Sequence, residues 1–218
     1  MTGPFAARHA ALAQPAAPET LLHLSSSASV ATLPDQLVAD LVAQATASSA
    51  ADAQRRVNAS VASGLAAARA VPAVEARAIG YEVSPADEKR ASWTAQQTLE
   101  LRGTDGLALL DLAGKLQAQG FVTAALDWRL TSALRRRTED EATTQALKQM
   151  QAQAASAAAA LGLHVDHLRD VRVQPSDGFL PRPMMAGASL RASAPAPEAT
   201  ASAQDVTVTV VAEVVLRP

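Results

Sequence analysis

Cysteine is absent from the chain, which excludes thiol nucleophiles, cysteine-ligated zinc and disulfide staples together. It does not choose a compartment, because an oxidising one permits disulfides without requiring them. Aromatic residues make up only 3% of the sequence, leaving few platforms on which single-stranded bases could stack. Neither sign of charge dominates, and a formal net charge of -2 removes the broad basic footprint of a nucleic-acid-binding protein, so no nucleic-acid partner is expected. Hydrophobic residues reach 49%, yet much of this is alanine, and no run of about 18 strongly apolar residues offers a membrane-spanning helix. The nucleophile elbow G-x-S-x-G, the phosphate loop G-x-x-x-x-G-K-[ST] and the dinucleotide fingerprint G-x-G-x-x-G are missing as well.

What is present is enough chain, 218 residues, for one sizeable domain whose core needs no covalent staple. Its organising stretch is Thr138 to Leu161. Thr138-Glu139-Asp140-Glu141 reads as a capping box that starts a helix, with three acids at the positive end of its dipole. Leu147, Met150, Ala154, Ala157, Ala158 and Leu161 follow at three- and four-residue steps, and Gly162 ends the run. So much alanine in the expected buried stripe predicts close packing against a sheet.

Before it, Leu22, Leu24, Ser26, Ala28 and Val30 alternate with polar residues as a strand with one covered face does. Leu37 to Ala47 is taken as a second strand, although its spacing also suits a helix. Ser49-Ala50-Ala51-Asp52 caps a helix carrying Val57, Val61, Leu65, Ala68 and Val71, closed by Pro72. Val74 to Val83 and Trp93 to Leu101 form an expected hairpin through a polar turn at Ser84 to Lys89. Thr104-Asp105-Gly106 starts a shorter helix with Leu109, Leu112, Ala113 and Leu116, ended by Gly120. Val122, Ala124, Leu126, Trp128 and Leu130 then share one strand face. After the central helix comes a strand around Val165, Leu168, Val171 and Val173.

Residues 175–204, rich in Pro, Ala, Ser and Met, lack any period and predict a projecting or mobile loop. Val206-Thr207-Val208-Thr209-Val210, continuing to Leu216, has the cleanest alternation of all. The fold class expected is α+β: a largely antiparallel sheet with two long helices and one shorter helix packed on it, and a duplicated β-α-β-β unit. Residues 1–20 read as a leader remnant or disordered tail, and 21–218 as a single domain. His9 to Gln14 resembles the end of a secretory signal, but Arg8 stands where its apolar region should be. A truncated leader ending near Gln14 and an ordinary Ala/Pro-rich tail both fit.

The order of elements, the string Val30-Ala31-Thr32-Leu33-Pro34-Asp35, the helix from Glu141-Ala142 to Leu163, Val171-Arg172-Val173, the Pro-Arg-Pro-Met-Met-Ala loop at 181–186 and the terminal Val206 to Val210 together resemble the SIMPL-domain family of secreted bacterial proteins. The similarity covers about Leu21 to Leu216. It implies a periplasmic or outer-membrane-associated protein of the cell envelope that forms homo-oligomers; relatives include an immunogenic periplasmic protein and one linked to oxidative-stress defence. No catalytic residues are established for that family, so no enzyme, cofactor or small-molecule substrate is expected.

His164-Val165-Asp166-His167 with Asp170 is the one cluster of candidate metal ligands, but strand residues three apart point to opposite faces, so no metal site is expected there. Arg135-Arg136-Arg137 could grip an anion or a lipid headgroup; the acids that follow favour a neutralised helix start. Met184 and Met185 could scavenge oxidants or hold a soft metal, with disorder or an oligomer contact the simpler reading. A ligand- or metal-binding module is thus the alternative to self-assembly, for which Val206 to Leu216 is the expected pairing edge. A hydrolase would have to recruit His23, His164 or His167.

Overall fold

In a computed structural model of the chain, residues 19–87, 92–176 and 200–218 are described. They form seven strands and three helices in the order β1(Thr20–Thr32), β2(Gln36–Ala47), α1(Ala50–Arg69), β3(Val74–Asp87), β4(Ser92–Gly103), α2(Gly106–Ala118), β5(Val122–Arg129), α3(Ser132–Ala160), β6(His164–Ser176) and β7(Gln204–Arg217). The strands divide between two antiparallel sheets rather than joining one, in the orders β3-β4-β2-β5 and β1-β7-β6. The β-α-β-β order does recur, as β2-α1-β3-β4 and β5-α3-β6-β7, but the second set is split between the sheets. Two compact units result: one takes the described residues up to Ala28, Thr143–Ser176 and Val208–Pro218, and the other takes Ser29–Ala142 and the described residues up to Thr207.

The second unit is built on the four-stranded sheet. Leu41 lies opposite Leu99 and Ala39 opposite Leu101, so odd positions of β2 and β4 share the face that α1 and α2 cover. Val57 and Val61 of α1, Leu109, Leu112 and Leu116 of α2, and Phe121 complete a core with Leu37, Leu41, Leu99 and Leu101. Each fully buried leucine contributes about 1.5–3 kcal/mol relative to exposure. The helix starts follow the cap residues read in the sequence: Ser49 Oγ accepts from the Asp52 amide at 3.1 Å and Asp105 Oδ1 from the Ala108 amide at 3.0 Å. Gly64 lets α1 approach the sheet, since a Cβ there would meet Leu99 at 2.8 Å and Phe121 at 2.9 Å. Gly80, at φ +56, accommodates a bulge between Ile79 and Tyr81 of β3. The β3 strand runs through Ser84 to Asp87, where the sequence predicts a turn, because these residues stay paired with β4.

In β5 the expected face is broken. The register slips against Asp40 and Leu41, pairing Ala125 and Thr123 and skipping Ala124. Leu126 and Trp128 therefore pack on the core, whereas Val122 and Ala124 are exposed.

The first unit is a three-stranded sheet with β7 in the middle. Ser27 bonds Thr209 at 2.8 Å, His23 reaches Glu213 at 3.6 Å, and Arg217 reaches Glu19 at 3.3 Å, so each step down β1 is a step up β7. The opposite face of β7, carrying Val214 and Leu216, packs with Leu22, Leu24 and Leu163 against Ala154 and Ala158 of α3.

The capping box at Thr138 does not start α3. Asp35 accepts from the Thr131 amide at 2.7 Å and its hydroxyl at 2.9 Å, and Thr131 Oγ1 in turn accepts from the Leu134 amide. Thr131 thereby caps the helix about two turns earlier. Thr138 is interior and buried, and its hydroxyl donates to the Leu134 carbonyl at 2.9 Å. The buried stripe is Thr138, Ala142, Ala146, Met150, Ala154 and Ala158. Leu161, expected within it, is 60% exposed.

Candidate functional site

The strongest alternation in the sequence belongs to β7, but the expected pairing edge is not there. β7 is paired on both sides, by β1 and by β6, and Val208, Val210, Val214, Val215 and Leu216 are buried. A clean period of two marks the best-covered strand. Among the described residues the outer strands of this sheet are β1 and β6, and β6, 13 residues long, is the one with charges along it. Val165, Leu168, Val171 and Val173 along it are 37–45% exposed. Pro175 lies within the strand, a residue tolerated at sheet edges because it has no N–H to pair. Such a strand presents unsatisfied backbone donors and acceptors beside apolar side chains.

Charges alternate in sign along β6. Asp166 Oδ2 accepts from His167 Nδ1 at 2.8 Å and lies 3.2 Å from Arg217 Nε as an ion pair without hydrogen-bond alignment. The histidine bond, with Arg217 beside it, holds the Asp166 carboxyl below its ordinary range. Arg172 reaches Asp170 at 2.9 Å along the strand.

A second polar constellation lies on the face of the four-stranded sheet away from its helices. Glu100 is buried between two guanidiniums: Arg77 Nε and Nη2 approach it at 2.6 and 3.3 Å, and Arg102 Nε and Nη2 at 2.6 and 3.1 Å. Burial pushes its carboxyl up, but the hydrogen bonds from Arg102 and Arg77 outweigh burial and hold it below the usual range. Directly across, Asp40 pairs with Glu100 in register. Burial raises its carboxyl, and the charge of Glu100 raises it further, with Asp127 adding and Arg129 and Arg102 opposing. Asp40 Oδ1 is buried with no hydrogen-bond partner among the described residues.

The start of α2 forms a shallow open cleft of about 530 Å³, lined by Thr104, Asp105, Gly106, Leu107, Leu110 and Trp128. A Cβ on Gly106 would meet the Trp128 ring at 2.9 Å, so the glycine makes room for the indole. The cleft can seat a small apolar group.

A family model named SIMPL, described as a protein of unknown function (DUF541), matches residues 22–216. The chain belongs to the SIMPL family. No curated protein matches it. The SIMPL match spans both sheets, β6 and its neighbour β7 included.

Within this SIMPL chain the candidate residues fall apart by location. His164 and His167 both lie on β6, where His167 is engaged by Asp166 and Asp170 by Arg172. Among the described residues no three His, Asp or Glu side chains gather as a metal site. His23 faces Glu213 across β1 and β7. Arg135, Arg136 and Arg137 sit exposed on the first turns of α3, while Glu139, Asp140 and Glu141 each have an interaction partner. Met184 and Met185, and the loop that carries them, lie outside the described residues. The Asp40–Glu100 pair escapes a reading of the sequence because its members stand far apart along the chain. The one local signal is an acid flanked by apolar residues on each strand, Ala39-Asp40-Leu41 and Leu99-Glu100-Leu101.

Proposed function

We propose that this SIMPL protein is a secreted, periplasmic, non-enzymatic component of the cell envelope that acts by associating with copies of itself. The β6 edge carries the proposal: a long strand, open on one side, with four apolar side chains exposed along it. Charges and Pro175 punctuate this edge, yet it stays long and keeps exposed apolar side chains between them, and charges that alternate in sign can pair with a partner strand as well as repel one. The resemblance to secreted envelope proteins, one of them linked to oxidative-stress defence, supports the compartment and a protective role. Light scattering coupled to size exclusion, at about 1–100 µM chain, tests the reading against the micromolar range of modest associations. A discrete mass above the 22.5 kDa of one chain is expected. A monomer throughout that range overturns it.

A further inference from the structure

Self-association needs an interface, and the geometry of that interface presupposes the self-association proposed for this chain. We infer that two copies join antiparallel through β6, about a two-fold axis at Val171, so that Arg172 of one protomer faces Asp170 of the partner subunit. The faces of β6 are set by its contacts. Asp166 reaches Arg217, on the face of β7 opposite Val214 and Leu216, so even positions of β6 lie on the side away from α3. Asp170 and Arg172 share that side and are already 2.9 Å apart. Two-fold pairing centred on Val171 brings both pairs together as a ring of alternating charge. Each carboxylate then meets two guanidiniums, and each guanidinium two carboxylates.

Neighbouring registers are worse. Centring on Arg169 or Asp170 opposes identical charges across the axis, and centring on Leu168 sets Asp166 against Asp170 of the partner subunit. On the other face, the Val171 register lays Val171 on the partner's Val171, and Val173 against the aliphatic stem of the partner's Arg169. This covers Val171 and Val173, the two most exposed of the apolar side chains on β6. Pro175, lacking an N–H, then falls at the end of the ladder, where a lost bond matters least. The other edge of the same sheet, β1, carries no Asp, Glu, Lys or Arg from Thr20 to Thr32, so it has no charge pattern with which to select a register. Joined through β6, the three-stranded sheets of the two copies become one continuous sheet with α3 of each copy on the same side.

The test is a charge swap on the full chain, read by light scattering. Arg172 and Asp170 are exposed, at 71% and 43%, so Arg172→Asp and Asp170→Arg keep the wild-type far-UV circular dichroism spectrum. Each alone gathers four like charges at the axis and weakens association by roughly a hundredfold or more, lowering the mass to half or less. Mixing the two variants in equal amounts restores the wild-type mass, because an all-acidic edge then meets an all-basic one. The double variant restores it in a single chain. If the single variants keep the wild-type mass, or the mixture fails to recover it, β6 pairing is overturned while self-association stands. A wild type that is monomeric throughout removes both.

Discussion

Asp40 and Glu100 face each other across β2 and β4, yet their environments push them in opposite directions. Asp40 is partly buried beside a like charge and titrates above the ordinary aspartate range. Its ionised form therefore costs stability at neutral pH, and that cost is relieved as pH falls through its raised range. Glu100, gripped by Arg77 and Arg102, titrates below the ordinary range. Its stabilisation is present above the unfolded glutamate range and is lost only as pH falls through the depressed one. Asp40→Asn is thus expected to raise the melting temperature at pH 7, by up to about 1 kcal/mol of stability once solvent screening is allowed for. That gain should shrink as pH falls into the raised Asp40 range. Glu100→Gln is expected to cost about 1 kcal/mol at pH 7, because Arg77 and Arg102, both partly exposed and so partly screened by solvent, lose the buried counter-charge they share. Thermal denaturation of both variants from pH 3 to 8 checks the pair; equal effects at every pH would show that neither carboxylate is held as described.

At the scale of elements, local chemistry is readable in the sequence and long-range clamps are not. Ser49 and Asp105 cap the helices they precede, because a cap needs only the next three amides. The start of α3 depends on Asp35, which holds Thr131 from a distant part of the chain; no window around Thr138 contains that information. The α3 stripe differs from its expected course for a related reason. Leucine at Leu161 looks like core, while Ala142 and Ala146 look like filler, yet close approach selects the small residues. Ala154→Leu is therefore expected to destabilise by about 1–3 kcal/mol through overpacking against Val214 and Leu216. Leu161→Ala should cost less than about 0.5 kcal/mol, as a change at an exposed site does. Urea denaturation of the two variants decides between the stripe observed and the one the leucines predict. The bulge at Ala124 of β5 is the strand counterpart: alternation reads faces correctly until one residue is skipped.

For the molecule as a whole, pattern conveys the α+β class and the strand and helix order, and the resemblance of local strings conveys the family. They do not convey that seven strands make two sheets, because pairing partners are not written in a strand's own alternation. The same gap explains why the pairing edge was expected on β7. Since β7 is central and Val208 fully buried, Val208→Lys should abolish folding of the three-stranded unit rather than merely its association, costing more than about 3 kcal/mol. Loss of the cooperative thermal transition, or its fall by well over 10 °C, would bear this out; a folded monomer of wild-type stability would restore β7 as an edge.

The pairing of β1 with β7 also sets a timetable. Among the described strands one is the first and the other the last, so they meet only by closing a loop that spans every other described element. The hairpin of β3 and β4, by contrast, closes over a short span. Contacts of such different range form at very different rates, and the long loop closure comes last. The four-stranded sheet, whose strands all lie between Gln36 and Arg129, can therefore assemble on its own schedule. β1, with its serine-rich face, must wait in solution until distant β7 reaches it. The polar side of β1, from Ser25 to Ser29, is suited to that wait, keeping the strand hydrated until the last segment arrives.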